Sequence, residues 1–407
     1  MMQFPAGFFW GAATSAYQVE GDNVSSDWWA WEKKAGLKEP CGQACRHYEF
    51  YAADFELAKS LNHNAHRFSI EWARIEPQEG RFSPKEIEHY RCVIKSLRER
   101  GLEPIITLHH FTNPIWFSER GGWLNKECVG YYLRYVLRLV NEFSDSVRFW
   151  VSINEPMVYA YHGYVYGLWP PQERSFLKAR QVISNMAAAH VRAYKIIHDI
   201  YQKRSLPSPL VGIAHNMQAF VPCSRSLKNR LALYLRDRFF NFEFLDRLAG
   251  HRAMDFIGLN YYTRGLIEAR SFRLRSLAMD TCQKGHFPLR KNSMGWDIYP
   301  QGLYELLVRL KRYRLPVFIL ENGICTDDDN LRWDFIRQHL KSVYLAIAQG
   351  VAVMGYIYWS LLDNYEWDKG FSPRFGLIGV DYNDYSRNIR NSARNLSDVY
   401  KTGTLKQ

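Results

Sequence analysis

Two rhythms alternate along the chain. Short apolar or β-branched runs recur, and each is followed by a longer stretch whose apolar residues return every three or four positions. The runs cover residues 8–18, 65–70, 104–110, 149–154, 210–216, 255–261, 317–321 and 353–359. Near-continuous hydrophobicity, as in VFIL or IGLN, is what a strand covered on both faces requires. The intervening stretches predict helices over 47–61, 84–100, 126–143, 179–201, 228–248, 301–313 and 331–348. Their ends are punctuated as helices are: Ser83 precedes Pro84, and Gly101 and Gly350 sit just past helical stretches.

Eight strands alternating with helices predict an α/β fold of one kind, a single (β/α)8 barrel, because eight parallel strands close a barrel that side chains can fill. No Pro/Gly/Ser-rich linker interrupts the series, so residues 1–407 are read as one domain. In such barrels chemistry gathers at the carboxyl ends of the strands. Reading those ends gives Gln18, Arg67, His110, Asn154 with Glu155, Asn260 with Tyr262, Glu321 and Trp359. A barrel built only for stability has no use for so many polar groups there. His109 and His110 point to opposite strand faces, so only His110 enters the site and His109 is a packed core residue.

Glu155 and Glu321 are 321 − 155 = 166 residues apart, at the ends of the fourth and seventh runs. Two carboxyl groups facing one cavity are what glycoside hydrolysis needs. A separation of about 5–5.5 Å makes one a nucleophile and retains configuration, whereas about 6.5–9.5 Å admits a water and inverts it. The sequence leaves that choice open. A nucleophile must stay ionised, which Arg67 as a fixed cation and Tyr262 as a hydroxyl donor favour; an acid must keep its proton, which a neighbouring carboxylate favours. Asn154 is placed to meet a sugar 2-hydroxyl.

Composition changes the picture in three places. The aromatic share is 15%, with 13 Trp, 26 Tyr and 24 Phe, and Trp359, Trp367, Phe375 and Trp296 offer flat faces for the C–H side of a pyranose ring. The charge is 53 − 41 = +12. The basic residues are dispersed over several predicted helices and loops, so no sequence-specific nucleic-acid partner is expected; docking on nucleic acid or anionic lipid stays open as a secondary property. Seven widely spaced cysteines suit reduced thiols, and the Cys41–Cys45 pair has no second pair nearby to complete a zinc site. No run approaches about 20 apolar residues, so no membrane span is expected. Residues 1–10 lack a secretory pattern, so a cytoplasmic location is expected. No Gly-rich loop follows a strand, and neither a cofactor nor a metal is expected. Asp327 to Asp329 are read as helix N-terminal residues and not as a cation site.

The motifs together resemble glycoside hydrolase family one, the β-glucosidase family. They are FFWGAATSAYQVEG (8–21), RFSIEWARIEP (67–77), TLHHFTNPIWF (107–117), INEP (153–156), DFIGLNYYT (255–263), MGWDIYPQGL (294–303), ENG (321–323) and YWSLLDNYEWDKGFSPRFG (358–376). The resemblance implies a retaining mechanism with Glu321 as nucleophile and Glu155 as acid/base. It implies that Gln18, His110, Asn154, Glu366 and Trp367 grip the sugar, with Gln18 and Glu366 on the far hydroxyls. Trp359 would be the sugar platform, joined to Ser360 by a cis bond, and Arg67, Asn260 and Tyr262 would position Glu321. The chain departs from relatives of other specificity. Glu366 would repel a 6-phosphate, and the presence of Glu155 favours O-glycosides over thioglucosides. Unphosphorylated β-glucosides are the expected substrates, with β-galactosides and β-fucosides beside them. A transglycosidase and a non-catalytic sugar-binding barrel are the alternatives. The segments Glu155 to Asn260 and Glu321 to Trp359 are short for the family, which implies a more open leaving-group side. Oligomeric state is not legible in the sequence.

Overall fold

The computed structural model describes residues 1–282 and 289–406. Its centre is a closed barrel of eight strands: Phe9–Ala13, Ala65–Ser69, Glu103–Thr107, Phe149–Asn154, Leu210–Asn216, Phe256–Asn260, Val317–Asn322 and Val353–Trp359. All are parallel, each lies beside its chain neighbours, and the eighth returns to the first through the register Gly355↔Phe9 to Trp359↔Ala13. The expected architecture is therefore present. Its floor is packed with rings: Phe9 lies 5.2 Å from Phe149 and 5.7 Å from Phe318, centroid to centroid. With Ile105, Val151, Leu320 and Ile357 they fill the interior. A filled floor leaves only the carboxyl ends free to hold a ligand.

The observed strands 149–154, 210–216 and 353–359 have the expected bounds. The first and third runs stop early, at Ala13 and Thr107. After Ala13 the chain makes one helical turn, Ala16–Val19, pinned where the Ala16 N–H donates to Ser69 Oγ at 2.7 Å. Gln18 therefore sits on a turn above the barrel and not in a strand. The expected helix over 228–248 is continuous but contains a π-helical turn, Asp237–Phe242. Asp328 caps the helix Asp329–Ala348, accepting from the Asn330 and Leu331 N–H groups at 3.0 Å each, as read from the acidic triplet.

One excursion stands outside the barrel. The short strands Ala219–Pro222 and Arg264–Ile267 pair in parallel, and the helices Leu227–Arg236 and Leu274–Met279 pack beside them around Ala232, Ile267, Ala269 and Leu277. Here the expectation of reduced thiols is corrected, because Cys223 and Cys282 form a disulfide with Cα atoms 6.0 Å apart. Hydrogen bonds from the Cys223 N–H to Ile267 O (2.8 Å) and from the Cys282 N–H to Leu266 O (3.0 Å) bring the two sulfurs together across one strand. A separation of 59 residues hides that register in the sequence. The remaining five cysteines are free thiols. Among the described residues no helix is long and apolar enough to cross a membrane.

Candidate active site

The carboxyl ends of the strands open into a cavity of about 410 Å³. Gln18, His110, Asn154, Glu155, Tyr262, Glu321, Trp359, Glu366, Trp367 and Phe375 all line it. Arg67 and Asn260 are fully buried immediately behind it and act through hydrogen bonds.

Glu321 is held at both oxygens. Arg67 Nη1 donates to Oε1 at 2.5 Å and Tyr262 Oη donates to Oε2 at 2.5 Å, a pairing that suits the carboxylate form. Arg67 is itself fixed by Thr107 Oγ1 (3.0 Å) and by Asn154 Oδ1, to which Nη2 donates at 2.6 Å. Because a guanidinium only donates, this bond sets the Asn154 amide with Nδ2 toward His110 Nε2, 3.1 Å away. Nε2 must then accept, so the His110 proton is on Nδ1. Burial and the Arg67 charge push the His110 pKa down, keeping the ring neutral. Nδ1 has no protein partner among the described residues. His109, as expected, faces away and meets Asn113 Oδ1 at 3.0 Å.

Glu155 sits in the opposite environment. It follows the fourth strand with left-handed backbone (φ 46°) and leads into the helix Pro156–Ala160. Burial first, then the charge of Glu321, push its pKa up to about 8, against hydrogen bonds from Asn260 and Asn216. Those amides donate to one oxygen, Oε1, at 2.8 and 3.0 Å. This corrects the reading of Asn260 as a partner of Glu321: its Nδ2 is shared between Glu155 and Asn154 Oδ1 (3.2 Å). Strand register places Asn260 beside Glu321 along the backbone, but its side chain reaches the neighbouring carboxyl. Asn216 was not singled out in the sequence, although it ends the fifth run, where the same rule would have found it.

The family model described as Glycosyl hydrolase family 1 matches residues 1–252 and 241–404. Beta-glucosidase A of Thermotoga maritima is 32% identical over 99% of this chain and 99% of its own. A solved beta-glycosidase from Pyrococcus horikoshii is 38% identical, with a TM-score of 0.94 over 100% of this chain and 96% of that one. The chain belongs to glycosyl hydrolase family 1. A Thermotoga maritima beta-glucosidase solved in complex with glucoimidazole superposes with a TM-score of 0.91 at 31% identity, covering 99% of this chain and 100% of that one. This family 1 protein is an O-glycosyl hydrolase of the β-glucosidase type.

The rest of the glycosidase's cavity divides into a polar end and an apolar lip. At the polar end Gln18 Nε2 donates to Tyr365 O (2.8 Å), Asn364 Oδ1 (3.1 Å) and Glu366 Oε2 (3.3 Å). Burial, then the charges of Glu321, Asp368 and Glu155, push Glu366 up to about 8. Trp367 is packed from behind by Tyr17, stacked at 5.9 Å, and by Trp28 at 4.7 Å, so Trp28 is a packing residue. The Trp359–Ser360 bond is cis, and Trp359 stacks near His110 at 6.0 Å. At the lip, Trp169, Leu168, Met294 and Trp296 give an apolar surface that the sequence reading named only through Trp296. The 453-position alignment to the Thermotoga enzyme leaves at least 453 − 407 = 46 positions of that relative opposite gaps, in keeping with the short segments.

Proposed function

We propose that the chain works as one catalytic domain, a retaining β-glycosidase acting on unphosphorylated β-D-glucosides and, at O4 and O6 variants, on β-galactosides and β-fucosides. The observation that carries the division of roles is the asymmetry of the two carboxyl groups, and membership of family 1 supports retention. Glu321 is bound by a cation and a phenol, whereas Glu155 is buried, bound by two amides and no cation, and pushed up to about 8. Glu321 attacks the anomeric carbon as the Glu155 proton passes to the glycosidic oxygen, so one C–O bond forms while another breaks and the alcohol leaves neutral. Glu155, now a carboxylate, takes a proton from water, which opens the glycosyl ester and frees Glu321.

Asn154 Nδ2 is a donor for the hydroxyl nearest the anomeric carbon, and the neutral His110 ring lines the cavity beside it. Gln18 and Glu366 present a donor and an acceptor to the far hydroxyls, with Trp359, Trp367 and Phe375 under the ring. Glu366, held in the acid form through neutrality, and Asp368, already paired with Lys369 at 2.6 Å, offer a 6-phosphate dianion no free cation, which disfavours phosphosugars.

Hydrolysis of nitrophenyl β-glycosides followed by NMR tests the reading. The β-anomer should appear first from the glucoside, and Glu321→Gly should lose at least about 10⁴-fold in kcat and regain turnover with azide, giving an α-glycosyl azide. Initial release of the α-anomer, or no azide product from a folded variant, would overturn it.

A further inference from the structure

We infer that the excursion beside the cavity mouth docks on an anionic lipid bilayer, and that the glycosides this enzyme meets there have lipid leaving groups. The second half rests on the β-glycosidase reading above; the first does not.

The excursion begins at the cavity. Gln218 and Thr263 line it, and the next residues start the strands Ala219–Pro222 and Arg264–Ile267. The helix Leu227–Arg236 buries Ala232 and Asn229 toward those strands. Its opposite face carries Leu227, Leu231 and Tyr234, spaced four and three residues apart, which are 75%, 39% and 64% exposed. Phe272, in the loop before the second helix, is 64% exposed. The two segments touch where Lys228 Nζ donates to Arg270 O at 3.4 Å. Single exposed apolar residues need no explanation, but four large ones on one packed unit do.

The charges around them select the occupant. Arg225, Arg230, Arg270 and Arg273 are exposed and Lys228 is half-buried, and none of the five takes part in an ion pair among the described residues. By contrast Arg238 is neutralised by Asp246 and Arg309 by Asp237. An apolar stripe fringed by unpaired cations matches the boundary between acyl chains and anionic headgroups. A protein partner would need its own acidic, apolar face, and a second copy would bring the same five cations against themselves. Leu168, 52% exposed, lines the same cavity as Gln218 and Thr263 and adds an apolar side chain at its lip. A bilayer seated on the excursion would therefore lie beside the leaving-group side, where an alkyl chain can pass from membrane to cavity.

Co-sedimentation of the whole protein with vesicles tests this. Vesicles of phosphatidylcholine with 30% phosphatidylserine should bind it in 0.1 M salt, pure phosphatidylcholine should not, and 0.5 M salt should weaken binding at least tenfold. Arg225→Gln and Arg230→Gln should each lower the association constant about fivefold. The triple change Leu227→Ser, Leu231→Ser, Tyr234→Ser should lower it at least tenfold. None of these should alter hydrolysis of a soluble nitrophenyl β-glucoside, while hydrolysis of dodecyl β-glucoside held in anionic vesicles should fall with binding. No vesicle binding, or binding indifferent to all these changes, overturns the docking. So does a dimer, detected by sedimentation velocity, that the triple change dissolves. Vesicle binding without hydrolysis of any glycoside would leave the docking standing and remove the glycosidase reading; hydrolysis of soluble substrate without vesicle binding does the reverse.

Discussion

Glu155 offers one oxygen to the protein and the other to the cavity. Both amide hydrogen bonds fall on Oε1, and no described residue binds Oε2, so the proton of the acid form belongs on Oε2. Burial and the charge of Glu321 raise the pKa to about 8, so the acid form prevails through neutrality and is lost as pH rises past that value. The alkaline limb of kcat/KM should therefore fall near pH 8 for the native enzyme and disappear in Glu155→Gln. That variant should lose about 10²–10⁴-fold on alkyl glucosides and far less at the glycosylation step on nitrophenyl ones; equal losses would count against proton donation. Asn216→Ala removes a bond that favours the charged form, so the limb should move above 8 in a pH–rate profile, whereas a purely structural residue would lower kcat without moving it. The strand-end rule brought seven cavity residues into view from sequence, Gln18, His110, Asn154, Glu155, Tyr262, Glu321 and Trp359, because their types are rare at covered strand ends. It could not say which carboxyl Asn260 serves, since that depends on how a side chain crosses between strands that lie 260 − 154 = 106 residues apart.

Strand ends in this barrel are set by where backbones touch, which a hydrophobic pattern does not show. After Ala13 and Thr107 the chain still carries buried apolar residues, Ala16, Tyr17 and Leu108, although the ladder has ended, so the pattern extends the runs too far. Closer to the site, Gly323 follows the seventh strand against the end of the eighth. A Cβ there would lie 1.8 Å from Trp359 O, a contact with backbone that no rotamer relieves. Gly323→Ala must displace Trp359, which stacks near His110, or the strand that carries Glu321. We expect a stability loss of about 1–3 kcal/mol by denaturant unfolding, together with a fall in kcat/KM larger than that of a surface change of the same size. Unchanged kinetics would mean that the two strand ends move as a unit. The glycine was legible only as part of the ENG motif; the reason for it needs both strands in place.

Across the whole molecule, the barrel and the excursion are stabilised separately. The barrel closes through eight parallel ladders and needs no covalent bond, whereas the excursion packs on a small cluster around Ala232, Ile267 and Leu277 and is tied by Cys223–Cys282. A crosslink spanning 59 residues limits the open forms of that segment by an amount of order 4 kcal/mol in the loop-entropy account. Its loss should be felt locally, because stability in a protein of this kind is not uniform. Reduction should then increase hydrogen exchange at backbone amides of 219–282 while the eight barrel strands keep their protection. The main thermal transition should move by less than about 3 °C, since the barrel's own apolar burial is untouched. Exchange rising equally in the strands 149–154 and 317–322 would show instead that the excursion braces the barrel. Under the local outcome the lip of the cavity is the deformable part, so reduction should change KM for substrates with long leaving groups and leave kcat for nitrophenyl glucoside near its oxidised value, because Arg67, Asn154 and Asn260 are held by barrel strands.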